Sequence, residues 1–449
     1  MKVKIVNRNE EDFTKERKQD LKKVHRNYDP NLHQFERAHE YTRALNAVKL
    51  DRIFAKPFVA ALPHGDGVTA LARNPKALNS LVSGAADGEI RIWDVAQKRP
   101  LRKLVGHTAA VRGLSFAPDG ETVVSASSDC TVKLWKVPYA PLDVGVVEAV
   151  SHPALVFSGQ HAYRCVDHHW CRPQFATAGN AVDVWDHERS EPLHTFSWGA
   201  DTVISVRFNP AEPDVFATTG SDRSIALYDL RIATPVRKLV MQTRCNALAW
   251  NPMEAFNFTA ASEDCNLYSY DMRKFGTATC VHQDFVSAVM DVDYSPTGRE
   301  FVAGSYDRSV RIFKHNGGHS REVYTTKRMQ RVFCTRFSGD ATYVYSGSDD
   351  MNVRVWKAEA SEQLGTLLPR EKHKQAYDKA LVERFKHMDE VKRIVRHRHT
   401  PKAIYKATKA RRVVVDADKR KLTRRAAHSK PGSVAIKAER KKKIVAEVE

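Results

Sequence analysis

Two cysteines and two histidines fall within seven residues in CVDHHWC, residues 165–171, and thiolates and imidazoles are the groups that hold zinc and similar ions. The spacing matches no zinc pattern, and on a strand, where side chains alternate between faces, the four groups would point both ways. The residues read instead as a strand and turn, with no metal and no cofactor. The seven cysteines include no CxxC pair, which suits a reducing compartment better than a disulfide framework. No nucleophile elbow, HExxH helix, phosphate-binding glycine loop or dinucleotide fingerprint occurs. The chain is therefore expected to be no enzyme and to take no small-molecule substrate.

The chemistry that the sequence does concentrate is cationic. Its formal charge is +19, and residues 370–449 hold 26 Lys and Arg against 10 Asp and Glu. Residues 1–52 hold 13 against 9, while 53–369 hold 33 against 34, so the positive charge belongs to the ends. In RFKHMDEVKRIVRHRHTPKAIYK (384–406) and the stretch before it, Tyr377, Leu381, Phe385, Met388, Val391 and Val395 recur at helical intervals, predicting one helix with an apolar stripe and Lys379, Lys386 and Arg393 opposite. HTP (399–401) breaks it, with Thr400 as N-cap and Pro401 opening a second helix through Ile404 and Tyr405. Beyond lie KATKARR, DKRKLTRR and ERKKK, expected to be extended or ordered by a partner.

Interleaved cations and apolar anchors suit a folded RNA, whose phosphates would be met by Lys386, Arg393, Arg396, Arg398, Lys402, Lys406, Arg411, Arg412, Arg424 and Arg425. A membrane partner is not expected, because a broad apolar helix face is missing after residue 400. No apolar leader segment opens the chain and no window approaches a membrane span, so a soluble intracellular protein is expected.

What must carry this handle is a repeat. DGEIRIWD (87–94), DCTVKLWK (129–136), NAVDVWD (180–186), DRSIALYD (222–229), DCNLYSYD (264–271), DRSVRIFK (307–314) and MNVRVWK (351–357) are seven copies of one phrase, whose aromatic ends are spaced by 42, 50, 43, 42, 43 and 43 residues. Each alternates apolar and polar residues as strands do. The 50-residue interval places an insertion around YAPLDVGVVEAVSHP in blade three.

The phrases, their period and the Gly106-His107 pair resemble the WD repeats of a β-propeller, one four-stranded blade per repeat. The resemblance implies an all-β, seven-bladed propeller over 58–368, flanked by a basic N-terminal arm (1–57) and a basic helical C-terminal extension (369–449). It also implies hydrogen bonds linking Asp129, His107, Ser125 or Ser127, and Trp135, a set degraded in other blades. The run FVAAL (58–62) is expected to close the ring as the outer strand of the last blade. In the arm, helix formers fill 34–54, with Phe35, Tyr41, Leu45 and Val48 as anchors and YDP (28–30) preventing an earlier start.

YDLR (228–231) and YDMR (270–273) resemble the paired Asp-x-Arg signature of propellers that dock on the adaptor of a cullin-RING ubiquitin ligase. Arg231 and Arg273 would be the adaptor contacts, with Tyr standing where that signature has Trp; alternatively each pairs with an acid of a neighbouring turn. Finally, the order RNYDPNLHQFERAHEYTRALNAVKLDRIFAKPF, a propeller with WGADTVISVRFNP and WNPMEAFNFTAASED, then RFKHMDEVKRIVRHRHTPKAIYKA and HSKPGSVAIKAERKKK, resembles the suppressor-of-fibrillarin family over practically the whole chain. That resemblance implies a nucleolar role in the small-subunit processome with pre-ribosomal RNA, the box C/D small nucleolar RNA particle and other processome proteins as partners. It also implies, in animal relatives, a second role as a cullin-RING ligase substrate receptor.

Overall fold

A computed structural model describes residues 35–137, 148–197, 202–232 and 234–448. The YDP stop and most of the insertion lie outside the described residues. The chain divides into two compact units, Met1–Phe58 with Glu359–His399, and Val59–Ala358 with Thr400–Glu449.

The larger unit is a propeller of seven sheets, each with four antiparallel strands. The first strands of successive blades meet around a closed ring, the seventh, Val332–Phe337, returning to the first, Val68–Arg73. The outer strand of that last blade comes from the other end of the sequence: Phe58–Pro63 pairs beside Asn352–Lys357. A ring closed in this way leaves no open sheet face at its seam.

Two blades carry a fifth strand. Glu148–Val150 runs parallel to Arg99–Leu104 on blade one, and Ile444–Val448 runs antiparallel to Arg237–Met241 on blade four. The long insertion therefore belongs to blade two, between its third strand, Thr131–Lys136, and its fourth, Leu155–Ser158, and not to blade three. The 50-residue interval spans both repeats, so spacing alone does not assign it. The strand at 444–448 follows directly on the ERKKK cluster and is ordered by blade four of the chain's own propeller.

Local chemistry explains why the phrase recurs. In six blades the turn into the third strand places a residue at positive φ: Gly88, Cys130, Arg223, Cys265, Arg308 and Met351, at 62 to 89°. The aspartate before it stabilises five of these turns, accepting the N–H two residues on, as Asp129 does from Thr131 at 2.9 Å and Asp307 from Ser309 at 3.0 Å.

The four repeat tryptophans that carry an indole N–H use it alike: Trp93 donates to Ser83, Trp135 to Ser125, Trp185 to Thr177 and Trp356 to Ser346, at 2.6 to 3.0 Å. In blade two the full network forms, His107 joining Asp129 through Nδ1 and Ser125 through Nε2, both at 2.8 Å. Although burial opposes it, hydrogen bonds from Thr131 and His107 hold the Asp129 carboxyl down to about 2, and burial lowers His107. Blade one has an equivalent that the sequence did not flag, since His64 follows a proline rather than a glycine: its Nε2 lies 2.5 Å from Ser83 Oγ. Where the indole is absent, Phe216 stacks on Tyr228 (5.1 Å) and Phe301 on Phe313 (5.4 Å), while Phe258 lies tilted against Tyr270 (5.7 Å).

The smaller unit is helical: α1 (Glu36–Ile53), α2 (Pro369–Arg384) and α3 (Asp389–Arg396). The buried face of α1 is Ala44, Ala47 and Val48, whereas Phe35 is 70% exposed.

Candidate nucleic-acid interface

The cations are positioned by three helices rather than two. The predicted single helix breaks at Phe385, giving α2 and α3. Pro369 opens α2, Glu371 accepts the Leu368 N–H at 3.2 Å, and Leu381 and Val391 are the buried members of the apolar stripe. Within this unit Arg384 pairs with Glu40 (2.9 Å), Arg43 donates to the Tyr377 hydroxyl (3.4 Å), Arg52 donates to the Val395 carbonyl (2.6 Å) and the Tyr41 ring meets Phe385 edge-on at 6.0 Å. Asp389 and Glu390 in the first turn of α3 and Arg393 and Arg396 in its last complement the helix dipole.

The second unit contains α4, Lys402–Ala427, with Pro401 as N-cap instead of Thr400. It runs 26 residues, where the sequence suggested a short helix and then extended chain. At a rise of about 1.5 Å per residue this is a rod of about 39 Å. Ile404 is its buried residue. With 3.6 residues per turn, Lys402, Lys406, Lys409, Arg420 and Arg424 share the face opposite Ile404 and Arg411. Lys409 and Arg420 were missing from the sequence-derived set, although helical spacing alone picks them out once the helix is known to be continuous.

Of the ten proposed phosphate contacts, Lys386, Arg393, Arg396, Lys402, Lys406, Arg412, Arg424 and Arg425 are exposed. Among the described residues the one carboxylate within 4.0 Å of these eight is Asp416, beside Arg412. Arg398 is half-buried and donates to the Val395 and His397 carbonyls. Arg411 has a different occupation: its guanidinium donates to the Phe285 carbonyl (2.7 Å), the Asp264 carbonyl (3.1 Å) and the Asn266 side-chain oxygen (3.3 Å). These bonds engage three of its five N–H donors and hold Arg411 against the propeller, so it stands apart from the eight exposed cations as an anchor of α4.

Arg231 and Arg273 are both paired with acids yet largely exposed. Arg231 donates to Asp214, which also receives Arg172 at 2.8 Å, and its side chain is 69% exposed. Arg273 lies against Asp271 of its own turn at 3.0 Å and over the Phe256 ring at 4.0 Å, with 61% exposed. Among the described residues no group of three His, Cys, Asp or Glu side chains could hold a metal ion. The CVDHHWC residues form the first strand and following turn of blade three: His168 donates from Nδ1 to the His169 carbonyl and sits 2.9 Å from His187 through Nε2. No described helix is long and apolar enough to cross a membrane.

Residues 358–444 match the Sof1-like domain, and 57–94, 98–136, 278–314 and 318–357 match the WD domain, G-beta repeat. The repeats left unmatched are those of blades three to five, where the network around His107 has no full counterpart. The chain is similar to DDB1- and CUL4-associated factor 13 of Xenopus laevis, 50% identical over all of both chains, and to that of Homo sapiens, 49% identical over the same extent. It is 44% identical to protein SOF1 of Saccharomyces cerevisiae, over all of this chain and 95% of that one. With the propeller, the basic helices and this similarity along its full length, the chain belongs to the Sof1-like, or suppressor-of-fibrillarin, family of WD-repeat proteins.

Proposed function

We propose that the protein is a non-catalytic assembly factor in ribosome biogenesis, acting in the nucleolar small-subunit processome as a scaffold between proteins and RNA. Its partners are pre-ribosomal RNA, the box C/D small nucleolar RNA particle and other processome proteins. The observation that carries this reading is the set of exposed cations from Lys386 to Arg425 that meet almost no acids, beside a propeller sequence of nearly balanced charge. Cations without acidic partners are held ready for phosphates, and releasing counterions from those phosphates favours binding.

Deleting residues 370–449 would also strip a strand from blade four and two helices from the smaller unit, so the cleaner experiment neutralises charge in place. Glutamine at all eight exposed positions should weaken binding to a structured RNA fragment. It should also flatten the salt dependence by about 6 to 7 in log–log slope if every cation meets a phosphate. An unchanged slope would defeat the proposal.

A second reading, as a substrate receptor of a cullin-RING ligase, is favoured by one observation: Arg231 and Arg273 remain well over half exposed on consecutive blades despite their acid partners. A relative's name, DDB1- and CUL4-associated factor 13, points the same way. Arg231→Ala with Arg273→Ala should release the adaptor in a pull-down and leave RNA binding intact. Equal recovery of adaptor by the double variant would remove the two arginines from that role.

A further inference from the structure

After α4 the chain turns back toward the propeller. In the turn Lys430 to Ser433 the Lys430 carbonyl accepts the Ser433 N–H at 3.0 Å, with Pro431 and then Gly432 at φ 83°, the residues that a type II turn requires. The returning segment is fastened to the rim of two blades. Its single helical turn, α5 (Glu439–Lys442), lies against the outer strand of blade five, Cys280–His282, and the Arg440 carbonyl accepts the Ala278 N–H at 3.2 Å. Gln242 of blade four donates its backbone N–H to the Lys443 carbonyl (3.0 Å) and its side-chain amide to the Lys442 carbonyl (3.3 Å). The strand Ile444–Val448 follows, and Ile444 packs against the buried cluster that holds Met241, Tyr270 and Phe275. With these three carbonyls turned to the propeller, the side chains of Arg440, Lys441 and Lys442 are exposed. Glu439 lies 3.9 Å from Lys442 and 4.0 Å from Lys419 of α4, which joins the cluster to the cationic helix. Among the described residues no carboxylate lies within 4.0 Å of Arg440 or Lys441.

We propose that Arg440, Lys441 and Lys442 form a second phosphate-binding site for RNA, presented by the rim of blades four and five and working together with α4 on one RNA. The proposal rests on the reading of RNA as the partner and adds to it a site outside the eight helical cations. A free basic tail must give up backbone freedom when it meets a phosphate, whereas here the propeller has already fixed the backbone that carries the three cations. Two contacts on one RNA also raise the effective concentration of each for the other. A polyanion is favoured over a protein partner because α5 offers cations and no apolar side chain from which the core of a protein interface could be built. A receptor that reads a basic run as an extended peptide would first have to strip Lys442 and Lys443 from Gln242.

The test is binding of the full-length chain to a poly(A)·poly(U) duplex over a range of salt concentrations. Arg440→Gln, Lys441→Gln and Lys442→Gln together should flatten the log–log salt slope by about 2 to 3, and the same loss should appear in the background of the eight-fold glutamine variant. Ile444→Asn keeps every cation and frees the strand, as does deletion of residues 444–449, and hydrogen exchange at the Gln242 amide reports the release. Either variant should weaken RNA binding by at least about tenfold, since the backbone must then be ordered on contact. An unchanged slope in the triple variant overturns the proposal. So does undiminished affinity once the strand is released, which would make the cluster an ordinary flexible charge run. Loss of nuclear accumulation by the triple variant with RNA binding intact also overturns it, by making the run an import address. A slope flattened by the eight-fold variant and untouched by the triple variant would leave the helical site standing alone, so failure of one proposal is distinguishable from failure of the other.

Discussion

Arg411 is where sequence and structure assign one side chain to incompatible tasks, and Arg411→Ala separates them. If its guanidinium anchors α4, the substitution removes two carbonyl hydrogen bonds at 2.7 and 3.1 Å and a weaker third at 3.3 Å. Hydrogen bonds to a charged group contribute about 1.5 to 3 kcal/mol when buried, and at this half-exposed site about 1 to 1.5 kcal/mol for each carbonyl bond is the reasonable share. The sum, about 2 to 3 kcal/mol, corresponds to a shift of about 30- to 150-fold in the docking equilibrium. Hydrogen exchange reads that directly: amides in the first three turns of α4 should lose about a hundredfold of their protection, while the inner strands of blades five and six keep theirs. In the same preparation, the salt slope for RNA should stay where it was. Unchanged protection together with a slope reduced by about 0.7 to 0.9 would refute the anchoring role and restore Arg411 to the phosphate contacts.

Acid should destabilise the propeller well before its carboxylates titrate. Burial lowers His64 to about 3 and His168 and His282 to about 4. Each is below its unfolded value of about 6.5, so the unfolded chain takes up the proton first. Their contribution is complete above pH 6.5 and is lost as pH falls toward 4, at about 1.4 kcal/mol per histidine per pH unit. Urea midpoints at pH 7, 6 and 5 should drop steeply and His282→Gln should reduce the slope by about 1.4 kcal/mol per pH unit; flat midpoints would contradict the burial. Gly113→Ala should cost about 1 to 3 kcal/mol, because a Cβ there would stand 2.5 Å from the Val166 backbone nitrogen in the next blade. Gly179→Ala, whose nearest neighbour would be at 3.5 Å, is the control and should leave the denaturation midpoint within error.

The propeller was legible because its signal is redundant. Seven copies at nearly constant spacing specify seven blades even where Tyr228, Tyr270 and Phe313 replace tryptophan, and the apolar run at 58–62 had no other use than the vacant edge of the last blade. The helix α4 was obscured for the opposite reason. Its Lys, Arg and Ala residues are good helix formers, yet they lack the apolar periodicity that usually reveals a helix, so a charge run and a helix look alike. The strand Ile444–Val448 is five residues behind a lysine cluster and exists only because blade four offers Arg237–Met241 as a template. The task of Arg411 was beyond any reading of spacing, since its acceptors lie at Asp264, Asn266 and Phe285, more than a hundred positions earlier.

That closure sets a schedule for synthesis. The strand Phe58–Pro63 leaves the ribosome early, but the strand it completes begins at Asn352, about 290 residues later. At about 5 to 20 residues per second, the wait is roughly 15 to 60 s. Throughout it, an apolar ribbon without its mate is open to adventitious pairing.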